Sequence, residues 1–163
     1  MNSKIKRKVD LCPTMGGTIS NGVKIIIGSD HGGLALKDEL AATLKKWGWH
    51  VDDVGCATAE SVDYPDFAVT VAERVQNGEV ALGVLVCGSG IGMSIAANKL
   101  AGIRAALCHE PYSATMARAH NDANVLCLGG RVVGPELAKA ILQAFVSGTF
   151  EGGRHTQRLE KIR

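Results

Sequence analysis

The chain has 163 residues, 46% hydrophobic, 21% charged and 4% aromatic, the balance of one ordinary domain with a core of its own. Against 16 Asp and Glu stand 18 Lys and Arg, and a net charge of +2 is too small to argue for a nucleic-acid partner. The five cysteines are odd in number and form no CxxC pair, which suggests reduced thiols in a cytoplasmic protein rather than a disulfide framework or a zinc site, and no apolar run approaches the length needed to span a membrane.

Residues 1–21 are polar and carry no periodicity, which predicts a flexible extension ahead of a domain covering residues 22–163. From Val23 onward, short apolar runs alternate with amphipathic segments. Val23–Ile27 predicts a first strand, running into Gly28-Ser29-Asp30-His31-Gly32-Gly33. Leu34, Leu36, Leu40 and Leu44 are spaced as one face of a helix. Val51–Val54 is a weak second strand. Pro65 opens a helix that Asn77-Gly78 closes. Leu82–Val86 is the third strand, Met93–Leu100 a helix, Ile103–Leu107 the fourth strand, Pro111–Ala119 a helix, Val125–Leu128 the fifth strand and Pro135–Val146 a long helix. Strands alternating with helices imply a five-stranded parallel sheet in a three-layer α/β sandwich of Rossmann-like, flavodoxin-like type.

The densest signal is Cys87 at the end of the third strand, followed by Gly88-Ser89-Gly90-Ile91-Gly92. Open α/β sheets bind ligands at the carboxyl edge of their strands, and glycines there let backbone N–H groups approach a ligand closely. Amide donors beside a cysteine stabilise its thiolate, which can act as a base. The same edge receives Asp30 and His31 from the first strand, Glu110 and then His120-Asn121-Asp122 after the fourth, and Gly129-Gly130-Arg131 from the fifth. Taken singly, Asp30 also suits a helix cap, His120 an exposed or capping residue, and Cys87 a small buried hydrophobe. Neither glycine turn has the GxGxxG spacing of a dinucleotide site, and no P-loop is present. No cluster of histidines and carboxylates with metal-ligand spacing stands out. In the tail, Arg154 and Arg158 would share one helical face and, with Arg131, offer planar donors for a phosphate.

These motifs resemble those of the B-type ribose-5-phosphate isomerases, in the family that also includes the lactose-pathway galactose-6-phosphate isomerase subunits. The resemblance runs through about residues 23–160, with Asp63-Tyr64-Pro65, Ile95-Ala96-Ala97-Asn98-Lys99, Gly102-Ile103-Arg104-Ala105, Glu110-Pro111-Tyr112-Ser113-Ala114 and Glu151-Gly152-Gly153-Arg154-His155 in the same order. Ser89 stands where a threonine is common and keeps the hydroxyl. The resemblance implies a metal-independent and cofactor-free aldose–ketose isomerase acting on ribose 5-phosphate through a cis-enediolate. It gives Cys87 as the base and His120 as the group that helps open the furanose ring. Gly88, Ser89, Gly90 and Gly92 match oxyanion donors, Asn121 orients substrate oxygens, and Asp30 binds hydroxyls. His31, Arg131, Arg154 and Arg158 match the phosphate grip, and Tyr64 lines the pocket. It also implies a homodimer or dimer of dimers in which His120, Asn121 and the arginines face the neighbour's cysteine. Two alternatives stay open from the sequence: another sugar phosphate (galactose 6-phosphate, allose 6-phosphate or a tetrose phosphate), or a non-catalytic sugar-phosphate sensor on the same scaffold.

Overall fold

A computed structural model describes residues 23–162; the expected extension over residues 1–21 lies outside them. Five parallel strands make one sheet: β1 (Lys24–Ser29), β2 (His50–Asp53), β3 (Leu82–Cys87), β4 (Ala105–Leu107) and β5 (Val125–Gly129). Their order across the sheet is β2-β1-β3-β5-β4, so β5 lies inside and β4 forms an edge. The central strands β3 and β5 are buried along their whole length, as a parallel sheet covered on both faces requires.

Helices α1 (Leu34–Lys46), α4 (Pro111–Asn121) and α5 (Pro135–Ser147) cover one face, where Leu40, Leu44, Ile141 and Phe145 pack on Ile25, Val84, Val86 and Leu128. Helices α2 (Tyr64–Gln76) and α3 (Ile91–Ala97) cover the other, where Val71 and Met93 pack on Ile26, Leu85 and Cys127. A sixth helix, α6 (Arg154–Leu159), folds back toward α4. Among the described residues no helix is long and apolar enough to cross a membrane.

The register sets the site. Ser29 pairs with Val86, and Cys87 pairs with Gly129. The carboxyl ends of β1, β3 and β5 therefore finish level and side by side. The chain leaves β1 toward β2 on one side and has β3 on the other, so a crevice opens at this reversal. The fourth strand is shorter than its apolar run suggests. The Arg104 N–H donates to Asn124 Oδ1, and the Arg104 side chain bonds the Asn121 and Asp122 carbonyls, so pairing begins only at Ala105.

Candidate active site

Three glycine-bearing turns meet above the sheet. The Gly130 N–H donates to the Cys87 carbonyl (2.8 Å) and the Arg131 N–H to the Gly88 carbonyl (3.0 Å). A methyl group on Gly130 would stand 2.8 Å from the Gly32 carbonyl oxygen, so these backbones touch at a distance that only glycine permits. Gly90 has φ 77° and turns the chain from β3 into α3. Its N–H points back to Cys87 Sγ at 3.1 Å.

Around this junction lies a cleft of about 440 Å³, lined by Asp30, His31, Gly32, Tyr64, Cys87, Gly88, Ser89, Gly92, Arg131 and Val132. Asp30 both caps and lines: Oδ1 accepts the Gly33 N–H (3.1 Å) at the entrance to α1 while the residue faces the cleft. His31 Nδ1 accepts the Val62 N–H (3.2 Å), which places the ring proton of the neutral form on Nε2 as a donor. Tyr64 forms a wall so close to Gly92 that a Cβ there would sit 2.7 Å from its ring. Ser89 Oγ accepts the Ile91 N–H (3.3 Å), leaving its own proton to donate. Arg131 lies over Gly88 and has no carboxylate partner among the described residues.

The cleft thus gathers eight of the expected site residues. Gly90 stands behind the sulfur rather than in the cleft, because its amide is committed to Cys87 Sγ. Glu110, expected at the strand edge, instead caps α4 by accepting the Ser113 (2.7 Å) and Tyr112 N–H groups; the Ser113 hydroxyl first, and then these amides, hold its carboxyl below the usual carboxylate range. Asp122, the one non-glycine residue with positive φ (45°) among the described residues, is clamped by Arg104 Nη2 (2.9 Å) and Arg118 Nη1 (3.1 Å).

His120, Asn121, Arg154 and Arg158 do not line this cleft. They sit where α4 ends and α6 packs. There the His120 and His155 rings stack, with centroids 4.2 Å apart and planes 7° from parallel, and each Nε2 lies 3.8 Å from Glu151 Oε2. A histidine–carboxylate cluster therefore does form, which the linear spacing did not reveal. An imidazole binds an ion in its own ring plane, and two nearly parallel planes this far apart share no such point, so the stack as arranged suits charge sharing better than chelation. Nothing in the sequence marked Val132 as a cleft residue. His155 could have been found through its place in the Gly-Gly-Arg-His motif. A larger cavity, about 710 Å³, lies between residues 98–104 and α6, but its lining holds neither thiol nor histidine.

A family model described as Ribose/Galactose Isomerase matches residues 25–162. The chain belongs to the ribose/galactose isomerase family. It is 55% identical over 139 residues to ribose-5-phosphate isomerase B of Escherichia coli, covering 85% of this chain and 93% of that protein. It is 46% identical over 141 residues to D-erythrulose-4-phosphate isomerase of Pectobacterium atrosepticum, covering 86% and 93%. Among solved structures, ribose-5-phosphate isomerase B of Clostridium thermocellum superposes with a TM-score of 0.85 at 56% identity, over 86% of this chain and 95% of that one. As a member of this family the chain is an aldose–ketose isomerase of sugar phosphates. Its Rossmann-like fold is the one that the family shares.

Proposed function

We propose that this isomerase interconverts D-ribose 5-phosphate and D-ribulose 5-phosphate, with Cys87 as the base that moves the proton. The observation that carries this reading is the placement of a thiol, a hydroxyl-binding carboxylate and a phosphate-binding guanidinium in one cleft: Cys87, Asp30 and Arg131. In the open-chain aldose the Cys87 thiolate takes the proton from C2. The C–H electron pair becomes the C1=C2 bond, and the former aldehyde oxygen carries the negative charge of a cis-enediolate. The Ser89 hydroxyl and the backbone N–H groups of the Gly88–Gly92 turn stabilise that oxygen. The Cys87 thiol, whose proton exchanges with solvent through the open cleft, then protonates C1, the C2 hydroxyl proton is lost to the oxygen on C1, and the ketose results. The Gly90 N–H bonded to Sγ holds the sulfur toward the cleft.

The furanose form must first open, which requires a proton on the ring oxygen as its bond to C1 breaks. His120 supplies it, and Asn121 orients the sugar oxygens. Since these residues, with Arg154 and Arg158, stand apart from the cleft, the reading includes a homodimer, alone or paired as a dimer of dimers, in which they complete the neighbour's site. Residues 22–163 make up the isomerase domain, and four buried free cysteines suit a cytoplasmic setting. The oxyanion is met by N–H and O–H donors, so turnover is expected to survive a chelator.

A tetrose phosphate is the second reading, supported by the similarity to a D-erythrulose-4-phosphate isomerase. A silent sensor would have no use for a thiol held by an amide at the cleft floor. A panel of aldose phosphates assayed for ketose formation with EDTA present decides among these readings. Ribose 5-phosphate should give the highest kcat/KM. A preference for erythrose 4-phosphate would overturn the substrate assignment, and a chelator-sensitive rate restored by one divalent ion would overturn the mechanism.

A further inference from the structure

Of the five histidines, only His155 is buried, at 6% exposure. It lies in α6, one residue after Arg154 and three before Arg158. Its ring covers one face of the His120 ring in α4. Glu151 faces both rings through one oxygen and anchors this tail by donating its backbone N–H to the Ala119 carbonyl (3.0 Å), beside His120.

We propose that His155 is a positioning residue for His120: it fixes the plane of that imidazole and keeps the single proton the stacked pair can carry on His120. The proposal rests on the reading of His120 as the ring-opening acid. Two imidazolium rings 4.2 Å apart repel, and one carboxylate compensates one charge, so the second proton is disfavoured. Its location follows from the surroundings. The charged and titratable groups facing His155 are His120 from α4, Glu151 from the connection, and Arg154 and Arg158 from α6 itself. Burial first, then His120 and the two arginines, hold His155 below the usual histidine range, and Glu151 only partly opposes them. The His120 side chain is 36% exposed and keeps water to solvate its charge. His155 is therefore the ring on which a proton is disfavoured, and as a neutral ring it supports His120 from behind.

The test uses full-length His155→Ala and His155→Phe, assayed for kcat, KM and the pH dependence of kcat on ribose 5-phosphate, with thermal melts to establish folding. Loss of the stack in His155→Ala should lower kcat about 3- to 10-fold, the worth of one aromatic pair, with KM changed less. His155→Phe restores a flat ring without a charge and should recover most of kcat. Because Glu151 then faces His120 alone, His120 should hold its proton further up the scale, so the alkaline fall of kcat should move to higher pH. Unchanged kcat and profile in both variants would overturn the proposal. So would His155→Phe matching His155→Ala with the wild-type pH dependence. If His120→Ala itself turns over normally, the reading of His120 fails, and that outcome is visible separately from any effect at His155.

Discussion

Cys87 differs from the other buried cysteines in what surrounds its sulfur. Cys127, on the neighbouring strand, is fully enclosed, and burial pushes its thiol far above the usual range; burial also raises Cys108. Among the described cysteines only Cys87 combines an amide donor with an open cleft. The sequence singled it out because a glycine turn follows it, whereas Cys108 and Cys127 sit in plain apolar runs. The role of His155 was not legible in the same way. A histidine in a basic tail reads as solvated charge, and its burial arises only when α6 folds onto α4. The arginines around it have no carboxylate partners among the described residues, so their charge is available to an anion. Arg158→Ala should weaken binding of the phosphorylated sugar about 10- to 150-fold, since a charge-assisted bond to phosphate contributes about 1.5–3 kcal/mol. The comparison to make is inhibition by a phosphorylated against an unphosphorylated sugar acid. Equal losses for both would remove Arg158 from the phosphate site.

Elements were legible wherever pattern and packing agreed. Strands β1, β3 and β5 fall on continuous apolar runs, and Pro65, Pro111 and Pro135 mark the starts of α2, α4 and α5. That β5 pairs with β3 and leaves β4 at the edge was not legible, because both are short apolar runs that the sequence pattern does not order. The glycine turn after β3 is the element on which the site depends. Gly78 and Gly90 both have φ near 75°, but a Cβ on Gly78 meets nothing within 4 Å, whereas one on Gly90 would stand 2.5 Å from Leu107 Cδ1 and 2.9 Å from the Leu128 carbonyl carbon. Gly78→Ala should therefore cost only the left-handed strain, about 1–2 kcal/mol, with activity intact. Gly90→Ala should cost more in urea denaturation and also lower kcat, because the amide that holds Cys87 Sγ must move. Equal effects of the two substitutions on kcat would contradict this role for the turn.

At the scale of the whole molecule, the expected site divides into two groups. The cleft holds Cys87, Asp30, His31 and Arg131, while His120, Asn121, Arg154 and Arg158 gather where α4 meets α6. Residue chemistry made both groups readable in the sequence; the shared sheet edge by itself suggested convergence within one chain, and only the family resemblance implied that His120, Asn121 and the arginines face a neighbour's cysteine. In the dimer proposed above, a second copy would bring the α4–α6 group to the cleft. Mixing Cys87→Ala with Arg158→Ala protein under conditions of subunit exchange should then restore part of the activity, since each hybrid dimer has one intact site. No recovery after demonstrated exchange would place both groups in one chain's site. The central claim remains that Cys87 moves a proton between C2 and C1. Its most direct test is turnover of ribose 5-phosphate in D2O, with the ketose analysed for deuterium at C1, by wild type and Cys87→Ala. Wild type should deliver solvent-derived deuterium to C1, and Cys87→Ala should be slower by about 10²–10⁴-fold. Ketose formed by Cys87→Ala at near the wild-type rate and with the wild-type deuterium content would contradict it.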